Sequence, residues 1–315
     1  MILVELNAYL AFFVGLVMLS VCGDWLVTGA ARLGKIFRLS AIFIGVCIIG
    51  FGTSLPEMLA TVSAAIKGSS GLALGNVVGS NIANIGFILA VGLLLSGHTF
   101  DSGKAKADFV MMLVATVAFI AICLVSDITL PVALAFLLGL CVTLWLSMKM
   151  GQKHYEHETE EAAEMDMKLP PALLLVAMGL LGLFAGAEQL VNSAIVIAGA
   201  WGVPDKVIGL TMVALGTSLP ELAATISAAR RSEGGMILGN VLGSNIFNLL
   251  GAAAAGGLFA PIMTTGMELD MLIMGAFSFA LLPLFLLKKP PFKLLSFGLL
   301  AAYIGFVAFT ALSAT

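Results

Sequence analysis

Apolar residues in this chain fall into long stretches separated by short polar joints. A helix needs about 20 apolar residues to cross a bilayer. Ten stretches of that kind can be read, at roughly 7–30, 41–66, 71–96, 108–126, 128–148, 170–198, 205–229, 234–259, 269–287 and 293–313. They are rich in Leu, Ala, Gly and Met and too long for barrel strands, so the expected fold is all-α, a polytopic bundle of ten transmembrane helices.

Composition supports this reading. The chain is 60% hydrophobic and 10% charged, with a mean hydropathy of +1.11. A soluble domain of 315 residues could not bury so much apolar side chain. The net charge of −3 says little about partners, since most charges lie in the joints, and no basic patch interleaved with aromatics suggests nucleic acid. The lipid bilayer is the expected partner, and a monomer the expected state. The four cysteines, Cys22, Cys47, Cys123 and Cys141, all fall inside spans and read as small apolar packing residues. Glu5 and the lack of a basic leader predict that the first span is a retained helix.

With ten spans, alternate joints lie on opposite sides. All fifteen Lys and Arg residues except Lys67 and Lys206 then share one side. The positive-inside rule puts that side in the cytoplasm of a cell membrane, both termini outside, and the joint between the fifth and sixth spans inside.

Inside the second span stands Gly52-Thr53-Ser54-Leu55-Pro56-Glu57, and inside the seventh the same six letters recur as Gly216-Thr217-Ser218-Leu219-Pro220-Glu221. The offset, 221 minus 57, is 164. Residues 41–86 align with 205–250 at that offset without a gap, and about half the positions are identical. Asp24-Trp25-Leu26-Val27 meets Glu188-Gln189-Leu190-Val191 at the same offset. The chain therefore divides into a first five-helix repeat, 1–150, an acidic cytoplasmic linker, 151–169, and a second five-helix repeat, 170–315. Five is odd, so the halves enter the membrane from opposite sides. This inverted arrangement places a substrate site at the repeat interface near the midplane.

A carboxylate at that depth is expensive unless something compensates it, and by default it marks a site. Pro56 and Pro220 break the backbone ladder and loosen carbonyls of the preceding turn. Ser54 lies three residues before Glu57, and Ser218 three before Glu221, so each pair shares a face. The next span adds Ser80 and Asn84 from Gly75-Asn76-Val77-Val78-Gly79-Ser80-Asn81-Ile82-Ala83-Asn84. Its twin adds Ser244 and Asn248. Carboxylates, hydroxyls, amide oxygens and loose carbonyls, without thiolate or imidazole, suit Ca²⁺ or Na⁺ rather than zinc or copper.

These paired motifs resemble the Ca²⁺/cation antiporter superfamily, and within it the compact prokaryotic sodium/calcium exchangers. The resemblance covers nearly the whole chain. It implies a secondary antiporter, not an enzyme, with Ca²⁺ and Na⁺ as transported ions and no cofactor. It implies Glu57 and Glu221 as central ligands, joined by Ser54, Ser218, Ser80 and Ser244 and by carbonyls of Thr53, Thr217, Gly50 and Ala214. Asn84 and Asn248 match its polar central positions. Some family members carry aspartate at the second of these, so this chain has two central carboxylates. The proton-coupled branch places an acid after the Gly-Asn pair, where Val77 and Val241 stand here. A Ca²⁺/H⁺ antiporter is the nearest alternative reading and a passive cation channel a more distant one. Asp24 and Glu188 read either as auxiliary cation stations or as acids bonded to neighbouring helices.

Overall fold

The computed structural model describes residues 2–96, 103–156, 168–201, 216–287 and 289–313. The described residues form helices and contain no strand; one isolated bridge pairs Ile128 with Ile262. In chain order the helices are α1 (Ile2–Phe37), α2 (Ala41–Thr53), α3 (Leu55–Ile66), α4 (Ser70–Ser96), α5 (Lys106–Cys123), α6 (Leu130–Glu156), α7 (Leu169–Ala200), α8 (Leu219–Arg230), α9 (Gly234–Phe259), α10 (Glu268–Phe279), α11 (Leu282–Leu286) and α12 (Phe292–Ser313).

Among the described residues, eight helical segments are long and apolar enough to cross a membrane. The bent pair α2 and α3 passes the same length and hydropathy test taken together, as a broken span or a re-entrant loop. The expected seventh span, 205–229, lies partly outside the described residues, and α8 is its described part. Several edges differ from the apolar stretches. The first stretch, 7–30, continues as helix to Phe37, because Ala31–Phe37 has no proline and tolerates its one glycine, Gly34; it stops where Arg38 takes a φ of 54°. The stretch 41–66 is not one rod: it bends by 43° at Ser54. Cys22 and Cys123 pack inside as expected and Cys47 is partly buried, but Cys141, on α6, is exposed.

The two repeats match in detail. α3 and α8 begin and end 164 residues apart. Each stops at a left-handed residue, Gly68 at φ 71° and Ser232 at φ 58°. The next amide then bonds back in the same way, Ser69 N–H to the Ala64 carbonyl and Glu233 N–H to the Ala228 carbonyl, each at 2.9 Å. Both α4 and α9 contain a π-helical stretch, at Asn84–Leu89 and Phe247–Ala252.

Small residues set the packing, as expected where lipid removes the hydrophobic drive between helices. α1 and α7 lie along one another. A Cβ on Gly182 would sit 2.2 Å from Cys22 Sγ, and one on Gly179 would sit 2.6 Å from the Leu26 nitrogen. α2 crosses α9 just as closely: a Cβ on Gly239 would lie 2.3 Å from the Ile42 carbonyl oxygen. This crossing brings the second span of one repeat against the eighth span and carries polar side chains into the centre.

Candidate functional site

The breaks in the two GTSLPE segments are nearly superposable in conformation. Ser54 has φ −83° and ψ 2°, and Ser218 has φ −90° and ψ 5°. Proline occupies the first turn of the helix that follows each break, where its missing N–H leaves no partner unsatisfied. Glu57 and Glu221 stand in those same first turns. A helix N-terminus carries partial positive charge, which favours a carboxylate there. Both side chains are 1% exposed.

The two glutamates are tied crosswise. Ser54 Oγ donates to Glu221 Oε1 at 3.3 Å, and Ser218 Oγ donates to Glu57 Oε1 at 3.4 Å. Sequence spacing sets each serine beside the glutamate of its own motif. The Pro-linked bend instead turns each hydroxyl towards the other repeat.

A second layer holds the backbone at each glutamate. Asn76 Nδ2 donates to the Glu57 carbonyl and to Thr61 Oγ1, both at 2.9 Å. Asn240 Nδ2 donates to the Glu221 carbonyl at 3.2 Å and to Thr225 Oγ1 at 3.0 Å. These four residues were not among the site residues expected from the sequence. The signal was available, because both pairs recur at the same offset in the repeats.

The central hydrogen bonds leave a particular set of atoms over. Glu57 Oε2, Glu221 Oε2, Asn84 Oδ1 and both amide atoms of Asn248 are buried without a hydrogen-bond partner. Buried polar groups are nearly always satisfied, so a cluster of exceptions requires an explanation. Four of the five atoms are oxygens, two of them from carboxylates. That donor set fits a hard cation, Ca²⁺ or Na⁺. Among the described residues no group of three or more His, Cys, Asp or Glu side chains forms a metal cage.

Of the other expected ligands, Ser244 Oγ donates to the Gly50 carbonyl at 3.2 Å, so these two are joined to each other. Gly50 also accepts from the Ser54 N–H at 3.1 Å, so its carbonyl is not left loose by Pro56. Thr53 turns its hydroxyl back to the Ile49 carbonyl at 2.9 Å. Ser80 is buried and lines a neighbouring cavity of about 330 Å³. Thr217 is partly buried, and Ala214 lies outside the described residues. Asp24 is not central: its carboxylate accepts from Ser227 and lies 3.8 Å from Arg231 Nε, which ties α1 to α8. Glu188 is exposed.

Membrane-spanning helices around a paired-carboxylate, oxygen-donor centre define a cation transporter. The profile of the sodium/calcium exchanger protein family matches residues 7–149 and 171–312. The chain belongs to that family, whose members are cation/Ca²⁺ exchangers and not enzymes, working on the ions they carry without a cofactor. It is 36% identical over 262 residues to an uncharacterized membrane protein of Methanocaldococcus jannaschii, covering 83% of this chain and 85% of that one. It is 31% identical over 299 residues to the sodium/calcium exchanger MaX1 of Methanosarcina acetivorans, covering 83% and 85%. A solved structure of the sodium-calcium exchanger NCX_Mj, soaked with Na⁺ and Ca²⁺, superposes with a TM-score of 0.84 at 32% identity. It covers 96% of this chain and 98% of that one.

Proposed function

We propose that this protein exchanges Na⁺ for Ca²⁺ and extrudes Ca²⁺ on the inward Na⁺ gradient, with Glu57 and Glu221 binding either ion in turn. The observation that carries this reading is the set of unpartnered buried oxygens of Glu57, Glu221, Asn84 and Asn248, the first three on side chains bonded across the two repeats. One divalent ion neutralises both carboxylates. Na⁺ replaces it through the same oxygens together with Ser54, Ser218, Ser80, Ser244 and carbonyls of Thr53 and Thr217. MaX1 and NCX_Mj, both sodium/calcium exchangers by name, support the choice of ions.

The reading extends to orientation and movement. Ten spans in two inverted halves, 1–150 and 170–315, would place both termini outside and the 151–169 linker in the cytoplasm of the cell membrane. α1 and α7 would rock as a pair against the remaining helices and expose the centre to alternate sides. Their intimate mutual packing supports treating them as one body. In this structure the Asp24 contacts with Ser227 and Arg231 join that body to α8. The equivalents of these residues at offset 164 are Glu188, Ser63 and Lys67, and all three are exposed. One tie would thus form on each side of the membrane, in opposite states.

Radioactive Ca²⁺ flux into proteoliposomes tests the function, with Na⁺, K⁺ and pH gradients imposed one at a time. An outward Na⁺ gradient should drive Ca²⁺ uptake at constant pH. Uptake driven by a pH gradient alone would establish Ca²⁺/H⁺ exchange instead. Uptake with no gradient dependence would point to a channel.

A further inference from the structure

We propose that Asn245 is a positioning residue that fixes the amide of Asn84 with its oxygen turned to the ion; this rests on the reading of Asn84 as a ligand given above. Met112, on α5, is fully buried, and Asn245 Nδ2 lies 3.7 Å from its Sδ. A thioether has lone pairs and no proton, so it can only accept. The Asn245 amide must therefore face it with the NH₂ group. The reverse orientation would set a carbonyl oxygen against sulfur lone pairs.

That choice propagates. With its nitrogen on Met112, Asn245 presents Oδ1 on its other side, and Asn84 Nδ2 donates to it at 3.1 Å. An amide oxygen cannot donate, so Asn84 has to meet it with nitrogen. Asn84 Oδ1 is then left over, and it is one of the unpartnered buried atoms. Met112 thus decides, through two amides, which end of Asn84 faces the centre. Amide nitrogen and oxygen have nearly the same shape, so packing alone could not make this choice.

The second repeat lacks the device. Asn248, the equivalent of Asn84, has neither amide atom bonded. Asn81, the equivalent of Asn245, donates to the Val77 carbonyl of its own helix at 2.7 Å. One central amide therefore presents an oxygen oriented by hydrogen bonds, while no hydrogen bond orients the other. A fixed oxygen matters most for the ion that binds more oxygens and dehydrates at greater cost, which is Ca²⁺.

The test measures Ca²⁺ half-saturation and maximal flux in Met112→Leu, Asn245→Leu, Asn84→Ala and the pairwise combinations with Asn84→Ala. Met112→Leu conserves volume, so it tests the relay even if Asn245→Leu does not fold. Loss of one orienting hydrogen bond should raise the Ca²⁺ half-saturation about two- to tenfold. Maximal flux should change less, and neither variant should add to Asn84→Ala. An unchanged half-saturation in Met112→Leu and in any folded Asn245→Leu overturns the proposal. So does an equal shift when residue 84 is already alanine. If Asn84→Ala itself leaves half-saturation unchanged, the ligand reading of Asn84 fails before the relay is reached.

Discussion

Ser54 gives its hydroxyl proton to Glu221 in the other repeat rather than to Glu57, three residues along in its own motif. Ser218 returns the arrangement to Glu57. Each carboxylate is thus held by a hydroxyl from the opposite half, so the two repeats cannot separate at the centre without releasing both glutamates. The bound oxygen of each carboxylate is Oε1, which leaves Oε2 for an ion.

The crosswise pairing predicts which substitutions couple. Double-mutant cycles are read in thermal stability without Ca²⁺. Ser54→Ala combined with Glu221→Ala, which removes the acceptor, should show a coupling of about 1 kcal/mol, the scale of a buried hydrogen bond. Ser54→Ala combined with Glu57→Ala should be nearly additive. Coupling in the second cycle and not the first would contradict the geometry.

The carboxylates themselves should be indispensable for the divalent ion. Glu57→Gln or Glu221→Gln keeps the shape and removes one charge. A divalent ion losing its water in a buried site needs opposing charge to compensate. Each variant should fold, yet lose Ca²⁺ flux by at least about two orders of magnitude, since a missing buried charge partner is worth about 3–5 kcal/mol. Near-normal Ca²⁺ flux in either purified variant would withdraw that glutamate from the site.

Much of this architecture was readable from the chain. Long apolar stretches revealed the spans, and a repeated acid in apolar surroundings marked Glu57 and Glu221. What could not be read depends on packing across the repeats. Hydroxyl partners are chosen by the direction of the bend at Ser54 and by the crossing of α2 on α9; Pro56 signals the break, but neither its direction nor the crossing has a local signature. The π-helical stretches at Asn84–Leu89 and Phe247–Ala252 add a residue to a turn, and no residue type in them announces it. Met112 looks like any lipid-soluble residue until Asn245 is placed beside it. For Asp24 the reading as an acid bonded to a neighbouring helix holds and the cation-station reading does not; which helix it meets was not readable, because its partners lie about 200 residues away.

The helix ends offer a stability test away from the site. Gly68 and Ser232 close equivalent helices with positive φ, and only the first is glycine. A left-handed conformation costs a residue with a Cβ about 1–2 kcal/mol, and glycine recovers part of this against its greater unfolded freedom. Ser232 is exposed, so little packing is lost on substitution. Ser232→Gly should stabilise the protein by roughly 0.5–1 kcal/mol and leave flux unchanged. Gly68→Ser should destabilise it by a similar amount. A fall in thermal stability for Ser232→Gly would show that the serine side chain supports the turn.

The paired ties bear on movement. Asp24 meets Ser227 and Arg231 here, while Glu188, Ser63 and Lys67 occupy the equivalent positions of the other repeat and are exposed. If α1 and α7 rock as one body, closing one tie opens the other. The prediction uses a protein with its four native cysteines replaced. One variant carries Asp24→Cys with Arg231→Cys, another carries Glu188→Cys with Lys67→Cys, and a third carries all four changes. A short bis-maleimide should crosslink each pair and arrest Ca²⁺ exchange in both two-site variants. The two pairs should respond in opposite directions when Na⁺ is replaced by Ca²⁺, because each reports a different access state. In the four-site variant, prior crosslinking of one pair should protect the other from reaction. Simultaneous crosslinking of both pairs in single molecules would mean that the ties do not alternate, and the rocking of α1 with α7 would have to be abandoned.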